Sequence, residues 1–272
     1  MLTLEQKQLI QEKAKAIRVN IVKAVTAAKS GHPGGSLSIA DVMSLLYFQE
    51  MNVNPNEPKD PNRDRFVLSK GHAAPALYAT LAEKGFFPTE ELLNLRKIDH
   101  ILQGHPDMKY IPGVDMSTGS LGQGISAACG MALAGKIDGA PYRVFSVLGD
   151  GELEEGQVWE ALLSASKFKL DNLTIIIDCN NVQLDGYVTD IKNIYPLDKK
   201  LKGFDLDVIE INGHKYEDII DSLDIKSDKT KVILAKTIKG KGISFMENNH
   251  AWHGKAPNID EYEKAIKELE EK

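Results

Sequence analysis

The sequence predicts an α/β fold, a doubly wound and mainly parallel sheet with helices on both faces. Apolar segments with the length of buried strands alternate with amphipathic segments of helical period, which is the pattern of successive strand–helix–strand units. No repeat, low-complexity segment or convincing linker divides the 272 residues, so we expect a single domain over residues 1–272. Its N-terminal part is predicted to be helical and rich in loops, and its C-terminal helix is highly charged.

The individual elements are predicted from apolar spacing and from turn residues. In the first half of the chain they are a helix over 4–28, the loop SGHPGGS, a helix over 39–50, a strand over 65–69, a helix over 72–85, a loop-rich region over 104–119 and the helix LGQGISAACGMALAGK. In the second half they are strands over 143–149, 173–178, 204–211 and 231–237, and the helices EGQVWEALLSASKF, 196–202, YEDIIDSL and 259–271.

The composition is that of a globular protein, with 42% hydrophobic residues, 26% charged residues and a net charge of −6. The net negative charge and the scattered lysines do not indicate a basic surface that would bind nucleic acid. No apolar run approaches the ~18 residues of a membrane span. Cys129 and Cys179 lie in apolar stretches and are interpreted as buried free thiols in a reducing compartment. Together with an N-terminus that lacks a signal-peptide core, this predicts a cytoplasmic protein.

Polar residues follow two successive strands, where an open parallel sheet binds its ligands. Gly149–Glu152 (GDGE) follows one strand, and Asp178–Asn181 (DCNN) follows the next. A carboxylate from Asp150 and an amide oxygen from Asn180 suit Mg²⁺ that also holds phosphate oxygens. A helix that begins near Glu154 would direct its positive end to the same place. Each segment alone is typical of an ordinary turn, but the two together indicate a binding site far more specifically.

Four of the seven histidines, His32, His72, His105 and His253, lie in predicted loops or at the ends of elements. Several imidazoles in one cleft would suit proton transfer on hydroxyl and carbonyl groups. The other three, His100, His214 and His250, are interpreted as surface or capping residues. A zinc site is not expected, because His250 and His253 have no further histidine or cysteine at ligand spacing.

Three familiar motifs are absent from the sequence: the phosphate loop G-x-x-x-x-G-K-[ST], the dinucleotide fingerprint G-x-G-x-x-G and the nucleophile elbow G-x-S-x-G. Covalent catalysis by a serine or cysteine therefore has no support. The difficult chemistry is expected to come from a phosphate-bearing cofactor.

The segment GDGELEEGQVWEALLSASKFKLDNLTIIIDCNN closely resembles the thiamine diphosphate motif, which opens with Gly-Asp-Gly and closes with Asn-Asn. The surrounding blocks narrow the resemblance to the transketolase family: SGHPGGSLSIADV, LSKGHAAPALYATLAEKG, GHPD followed by STGSLGQGIS, and WHGKAP. They occur in transketolase order and span nearly the whole chain. Pyruvate dehydrogenase E1 shares the GDG…NN segment but not these histidine loops. The resemblance implies a thiamine-diphosphate-binding fold.

The resemblance also implies residue roles. The metal ligands would be Asp150, Asn180 and the backbone carbonyl of Val182, with Mg²⁺ (or Ca²⁺ or Mn²⁺ in its place). The contacts with thiamine diphosphate would come from His72, Gly119, Leu121, Gly151, Asn180 and His253. Gly151, His72 and His253 would lie at the diphosphate, and Gly119 and Leu121 at the aminopyrimidine ring.

The catalytic residues implied by the resemblance are His32, His105, His253 and Glu155. The histidines would bind the hydroxyls of the donor sugar and assist proton transfer, and Glu155 would link paired active sites across a dimer. Glu155 has a structural alternative, because an acidic residue in the first turn of a helix complements the helix dipole. Trp159 and Trp252 are interpreted as packing residues.

Transketolase catalysis also needs a pyrimidine-binding domain, which does not follow Lys272 in this sequence. We therefore expect the N-terminal subunit of a split transketolase, in an α₂β₂ assembly with a second chain that carries that domain. Such an enzyme transfers a two-carbon ketol unit between sugar phosphates, a reaction of the pentose phosphate pathway. Two alternatives stay open: a subunit of another ketol-forming enzyme resembling 1-deoxyxylulose-phosphate synthase, and a non-catalytic cofactor-binding subunit.

Overall fold

The computed structural model describes residues 2–271 and contains a parallel sheet. Its five strands pair in the order β1-β2-β3-β5-β4, and every pairing is parallel. The strands are β1 (Arg65–Leu68), β2 (Val144–Gly149), β3 (Leu173–Cys179), β4 (Asp207–Asn212) and β5 (Lys231–Lys236). The predicted parallel sheet is thus confirmed.

Helices cover both faces of the sheet, as predicted. They are α1 (Leu4–Ala28), α2 (Pro33–Leu37), α3 (Ala40–Leu45), α4 (Ala74–Lys84), α5 (Gln123–Asp138), α6 (Gly156–Lys167), α7 (Val188–Ile191), α8 (Leu197–Lys202), α9 (Tyr216–Asp224) and α10 (Ile259–Glu270). Successive strand residues enter different hydrophobic clusters: Phe145 packs with α1, α3 and α4, whereas Val144 packs with α5 and α6. This alternation follows from the two-residue period of a strand. It explains why the central strands are apolar on both sides.

Local signals set the ends of the long helices. A capping box between Thr3 and Gln6 starts α1, which ends at Lys29 in the left-handed conformation. A second capping box, between Asn258 and Glu261, starts α10. Both helices match their predicted ranges within one residue.

The segment SGHPGGS is not wholly a loop, and this prediction was wrong. Pro33–Leu37 forms the short helix α2, with Pro33 in its first turn, where a missing N–H costs nothing. Ser36 donates its hydroxyl to the carbonyl of His32 at 2.7 Å. The segment is buried, so its backbone groups need partners within the protein. Gly34 has to be glycine, because a Cβ there would lie 2.9 Å from the carbonyl oxygen of Trp252.

Other boundaries differ in detail. The helix predicted over 39–50 is α3 followed by a π-helical segment, Leu46–Glu50. β4 begins at Asp207 rather than at residue 204, because Asp205 has a positive φ of 61° and turns the chain before the strand starts. The short helix α7 was not predicted.

The ends of β2 and β3 lie side by side, since Gly149 pairs with Asp178 in register. The segments that follow these strands therefore leave the sheet at one edge. Both cysteines are free, as predicted; Cys129 is buried and Cys179 is half-buried. Burial raises the pKa of Cys129 to about 12 and raises the pKa of Cys179 well above its usual value. No helix within residues 2–271 is long and apolar enough to cross a membrane.

Candidate active site

A cavity of about 410 Å³ lies at the carboxyl ends of β1, β2 and β3. Its lining contains every residue that the sequence analysis assigned to metal or cofactor binding: His72, Gly119, Leu121, Asp150, Gly151, Asn180, Val182 and His253. It also contains residues that were not predicted, among them Lys70, Glu152, Gln183 and Lys239. The cavity therefore joins segments that are far apart in the sequence, which only the fold brings together.

The turn after β2 holds the carboxylate of Asp150, which is 2% exposed. Its oxygens accept hydrogen bonds from the backbone N–H groups of Gly151 at 2.8 Å and Asn181 at 2.6 Å, and from the hydroxyl of Tyr195 at 3.0 Å. All three donors are neutral. Burial, followed by the negative charge of Asp178, raises the pKa of Asp150 to about 6. A nearby cation would therefore stabilise this turn.

The turn after β3 is organised by Asp178, which is 1% exposed. Its carboxylate accepts hydrogen bonds from Lys70 and Ser38, both at 2.6 Å, and from the side-chain amide of Asn180 at 2.9 Å. Burial works to raise the pKa of Asp178, but the positive charge of Lys70 outweighs it and the pKa is lowered. Because the amide nitrogen of Asn180 is held by Asp178, its oxygen is the atom that accepts: it takes a hydrogen bond from the N–H of Val182 at 3.0 Å and has a second lone pair for another group.

A second lysine, Lys239, also lines the cavity and is 2% exposed. Its ammonium is 2.8 Å from the carbonyl oxygen of Val182 and 2.8 Å from Nδ1 of His253. Burial, followed by the charge of Lys70, lowers the pKa of Lys239 to about 8. Since the ammonium donates to Nδ1, the proton of a neutral His253 ring lies on Nε2.

Three of the four predicted site histidines form a cluster at the cavity. The ring centroid of His32 lies 5.3 Å from that of His72 and 5.5 Å from that of His253, and His72 stacks on His253 at 5.0 Å. Burial lowers the pKa of all three: that of His32 to about 4, with Arg96 as the second cause, and that of His253 to about 3, with Lys239 as the second cause. The rings are therefore neutral at pH 7. Nδ1 of His32 is buried without a hydrogen-bond partner in the described part of the chain.

The fourth histidine, His105, is more exposed and lies over Gly119, where a Cβ would be 3.1 Å from its ring. Burial and then the charge of Arg96 lower its pKa. The charge of His105 in turn contributes to the lowered pKa of His32, so the two rings are close enough to interact electrostatically. Arg96 was not predicted as a site residue, although it acts on both histidines.

Glu155 does not reach the cavity. It is exposed at the N-cap of α6, and its side chain makes no capping hydrogen bond. The remaining histidines lie elsewhere: His100 is 2.7 Å from Glu91, His214 is 2.7 Å from Asp41, and His250 is exposed. Trp159 and Trp252 pack against Phe204 and Phe245 respectively, as interpreted from the sequence.

The residues at this site fit a divalent cation with oxygen ligands. Residues 2–271 contain no cluster of three or more His, Cys, Asp or Glu side chains that would hold a metal ion. Asp150, the amide oxygen of Asn180 and the carbonyl of Val182 instead supply one charged and two neutral oxygens, the type of donor set that Mg²⁺ uses together with phosphate oxygens. The carbonyl of Val182 already attracts a cation, the Lys239 ammonium. The two buried lysines also favour an anion such as a diphosphate.

The family model described as "Transketolase, thiamine diphosphate binding domain" matches residues 9–270. The chain belongs to the transketolase family. Its similarity to transketolases covers the histidine cluster, both strand-end turns and the terminal helix. Transketolases are transferases, so the predicted family, fold and enzyme class are confirmed, and thiamine diphosphate is the cofactor for which this family's domain is named.

Two relatives match the chain from end to end. One is a subunit of the apulose-4-phosphate transketolase of Phocaeicola vulgatus, which is 40% identical over 98% of this chain and 96% of the relative. The other is the 6-deoxy-6-sulfo-D-fructose transketolase subunit SqwG of Clostridium sp., which is 44% identical over 98% of both chains. Both are named as subunits, in agreement with the predicted N-terminal transketolase subunit.

Longer transketolases match over part of their length. The human transketolase is 44% identical over 96% of this chain and 42% of its own. The crystal structure of the Campylobacter jejuni transketolase superposes with a TM-score of 0.91 at 35% identity, over 97% of this chain and 43% of that one. The chain thus spans about two fifths of these transketolases.

Proposed function

We propose that the chain is the cofactor-binding subunit of a two-chain transketolase, which transfers a two-carbon ketol unit from a ketose phosphate to an aldose phosphate. The observation that carries this proposal is the joint position of two features in one cavity. The Asp150 and Asn180 turns form one wall, and the histidines His72 and His253 line the same space. Binding of a diphosphate alone would not require neutral histidines beside it, whereas sugar chemistry does.

Mg²⁺, or Ca²⁺ or Mn²⁺ in its place, would be held by Asp150, Asn180 and the carbonyl of Val182. The diphosphate would lie against the backbone of Gly151 and beside His72 and His253. The ammonium groups of Lys70 and Lys239 line the same cavity and favour its negative charge. The aminopyrimidine ring would lie at the loop that carries Gly119 and Leu121. Bound thiamine diphosphate would supply a nucleophilic carbon and an electron sink.

The histidines of this chain would handle the protons of the sugar hydroxyls. Their lowered pKa values keep His32 and His253 neutral at pH 7, so one nitrogen of the His32 ring can accept a proton or a hydrogen bond. Nε2 of His253 carries the donor proton, since Lys239 occupies Nδ1. His32 and His105, whose charge contributes to the lowered pKa of His32, would bind neighbouring hydroxyls of the donor.

A partner chain with the pyrimidine-binding domain would complete the active site in an α₂β₂ assembly. Its existence is supported by the end-to-end relatives, which are named as subunits. Exposed apolar side chains on α5, on α6 and in the segment after β3 offer a surface for it. They are Ile137, Leu163, Leu184, Tyr187 and Ile191. The exposed Glu155, at the start of α6, would be available for a contact between paired sites.

The substrates would be sugar phosphates, as in the cytoplasmic pentose phosphate pathway. End-to-end relatives are named for apulose-4-phosphate and for 6-deoxy-6-sulfo-D-fructose, so a substrate panel should include these alongside xylulose 5-phosphate. Pyruvate belongs in the same panel, because a synthase-like enzyme would use it as the donor.

The test is reconstitution of activity. The purified chain and a candidate partner that carries the pyrimidine-binding domain are assayed alone and mixed, with thiamine diphosphate and Mg²⁺. We expect ketol transfer only from the mixture, and none when Asp150→Asn replaces the wild-type chain. Full activity of this chain alone would contradict the two-chain proposal, and use of pyruvate instead of a ketose phosphate would contradict the reaction. Unchanged turnover after His32→Ala would favour a non-catalytic binding subunit.

A further inference from the structure

The cofactor cavity has two ends that come from different parts of the chain. Both the loop at Gly119 and Leu121 and the turn at Gly149–Gly151 line the cavity. We call the loop the ring end and the turn the diphosphate end, after the parts of thiamine diphosphate proposed to bind them. The loop is docked on the last residue of β1: Thr118 donates its hydroxyl to the carbonyl of Leu68 at 2.7 Å. A ligand that spans the cavity has to touch both ends, so the distance between them decides which ligand fits.

Glu152 connects the two ends. One of its carboxylate oxygens accepts hydrogen bonds from the N–H of Gly122 at 3.0 Å and from the hydroxyl of Ser69 at 2.5 Å. The other accepts from the N–H of Gly149 at 3.1 Å. One side chain, 2% exposed, thereby joins the loop, the end of β1 and the turn after β2.

The packing around Ser69 restricts movement of the Glu152 carboxylate. The hydroxyl oxygen of Ser69 also accepts a hydrogen bond from the N–H of Ile125 at 3.1 Å. A Cβ on Gly124 would lie 2.6 Å from Cα of Ser69, so the start of α5 is in tight backbone contact with the same residue. A shift of the Glu152 carboxylate therefore has to move the loop or the turn.

Burial of a carboxylate in the protein interior is energetically unfavourable. Burial raises the pKa of Glu152, while the hydrogen bonds from Ser69, Gly122 and Gly149 act in the opposite direction. An apolar residue would pack here at lower cost, but it would leave the N–H groups of Gly122 and Gly149 without an acceptor. The carboxyl group is thus suited to fixing two backbone segments relative to each other.

We infer that Glu152 is a positioning residue that sets the spacing between the ring end and the diphosphate end of the cavity, and so makes the site selective for the whole of thiamine diphosphate over its diphosphate part. This inference rests on the proposed cofactor site. Glu152 lines the cavity, and its carboxylate acts on the two ends through the N–H groups of Gly122 and Gly149.

The test compares two ligands in the complete two-chain enzyme carrying Glu152→Gln. The amide keeps the shape of the side chain, but its NH₂ group faces either Gly149 or Gly122, both of which are donors. We expect the Kd of Mg²⁺–thiamine diphosphate to rise by about 10-fold or more, because one buried hydrogen bond is replaced by two facing donors. The Kd of Mg²⁺ with inorganic diphosphate, measured by displacement, should change by less than about 3-fold, since that ligand contacts one end only.

Two variants control for a merely structural effect. Asp115→Asn removes another buried carboxylate, which binds Arg63 and the N–H of Phe66 and does not line the cavity, and should change neither Kd. Ser69→Ala removes one donor of Glu152 and should shift the two ligands in the same unequal way, by a smaller factor. It keeps the test valid if the glutamine variant folds poorly.

Equal losses for both ligands, or no loss for thiamine diphosphate, would overturn the role of Glu152. A wild-type enzyme that binds no thiamine diphosphate would instead overturn the proposed function, and this inference with it.

Discussion

Asp41 and Asp150 are both buried carboxylates at the carboxyl edge of the sheet, but the protein balances their charges differently. Asp41 accepts hydrogen bonds from two nitrogens of Arg18, at 3.1 and 2.6 Å, from His214 at 2.7 Å and from Tyr216 at 2.8 Å. Burial works to raise the pKa of Asp41, but Arg18 and His214 outweigh it and hold the pKa well below its usual range. The negative charge of Asp41 is thus balanced by a positive side chain of the same protein.

Asp150 is held by neutral donors, and its pKa is raised to about 6 by burial and by Asp178. A carboxylate in this state destabilises the protein until a cation arrives. The comparison distinguishes a structural polar cluster, which is complete within the chain, from a binding site, which is completed by its ligand. It also predicts that equivalent substitutions at the two positions have opposite consequences.

The largest expected effect is on cofactor-dependent activity. Asp150→Asn should lower activity and the Mg²⁺-dependent affinity for thiamine diphosphate on the order of 1000-fold, because the charged metal ligand is lost. At pH 7 the unfolding free energy without cofactor should change by less than about 1 kcal/mol, since a weakened hydrogen bond and a relieved charge offset each other. Activity assays and urea unfolding of the cofactor-free protein measure the two quantities. A folded variant that retained metal-dependent binding would refute the assignment of Asp150.

Asp41→Asn should do the reverse. Removal of this charge leaves Arg18 buried without its partner, which costs about 3–5 kcal/mol of unfolding free energy. Chemical denaturation measures this loss. Below the unfolding transition, the affinity for Mg²⁺–thiamine diphosphate should stay at the wild-type value. A specific loss of cofactor affinity in the folded variant would show that the two regions are not separate.

The pH dependence of stability gives a third test. The folded pKa of Asp150 lies above the usual 3.8, so the folded state binds the extra proton. The contribution of Asp150 to stability therefore falls as the pH rises from about 4 to about 6, by as much as about 3 kcal/mol. Urea unfolding of the metal-free wild type and Asp150→Asn across this range should show the wild type losing stability relative to the variant. A stability difference between wild type and variant that stayed constant with pH would contradict the raised pKa of Asp150.

The smallest effects are expected from two tyrosines that donate to these carboxylates. Tyr195→Phe removes a hydroxyl bonded to Asp150 and should weaken Mg²⁺ binding by about 10-fold, because outer partners orient metal ligands. Tyr216→Phe removes the equivalent bond to Asp41 and should cost about 2 kcal/mol of stability without affecting Mg²⁺. Metal titration and urea unfolding of both variants complete the comparison. If the two variants changed Mg²⁺ affinity and stability by equal amounts, the distinction between the Asp150 site and the Asp41 cluster would be lost.

The strand-end rule explains how much of this site could be predicted. Asp150 and Asn180 follow β2 and β3 directly, so alternation of elements was enough to bring them to one edge. The same rule, applied to the ends of β1 and β5, would have found Lys70 and Lys239, which follow those strands by two and three residues. They were missed because lysines are common on surfaces and carry little information without burial.

Other features depended on tertiary contacts. The interactions of Glu152 join positions 69, 122 and 149, and no local pattern reports on such distant partners. The helix α2 was missed because its glycines are typical of a loop, while burial against Lys239 and Trp252 decides its conformation. The strand order, with β5 between β3 and β4, also follows from packing rather than from the sequence pattern.

The central claim is that the turns at Asp150 and Asn180 hold the metal of thiamine diphosphate. The most direct test is a crystal structure of the enzyme with thiamine diphosphate and Mn²⁺, with anomalous scattering used to locate the ion. We expect one ion at about 2.0–2.4 Å from oxygens of Asp150, Asn180 and Val182, with the remaining positions filled by diphosphate oxygens and water. An ion bound elsewhere, or a diphosphate bound away from Gly151, would contradict this account.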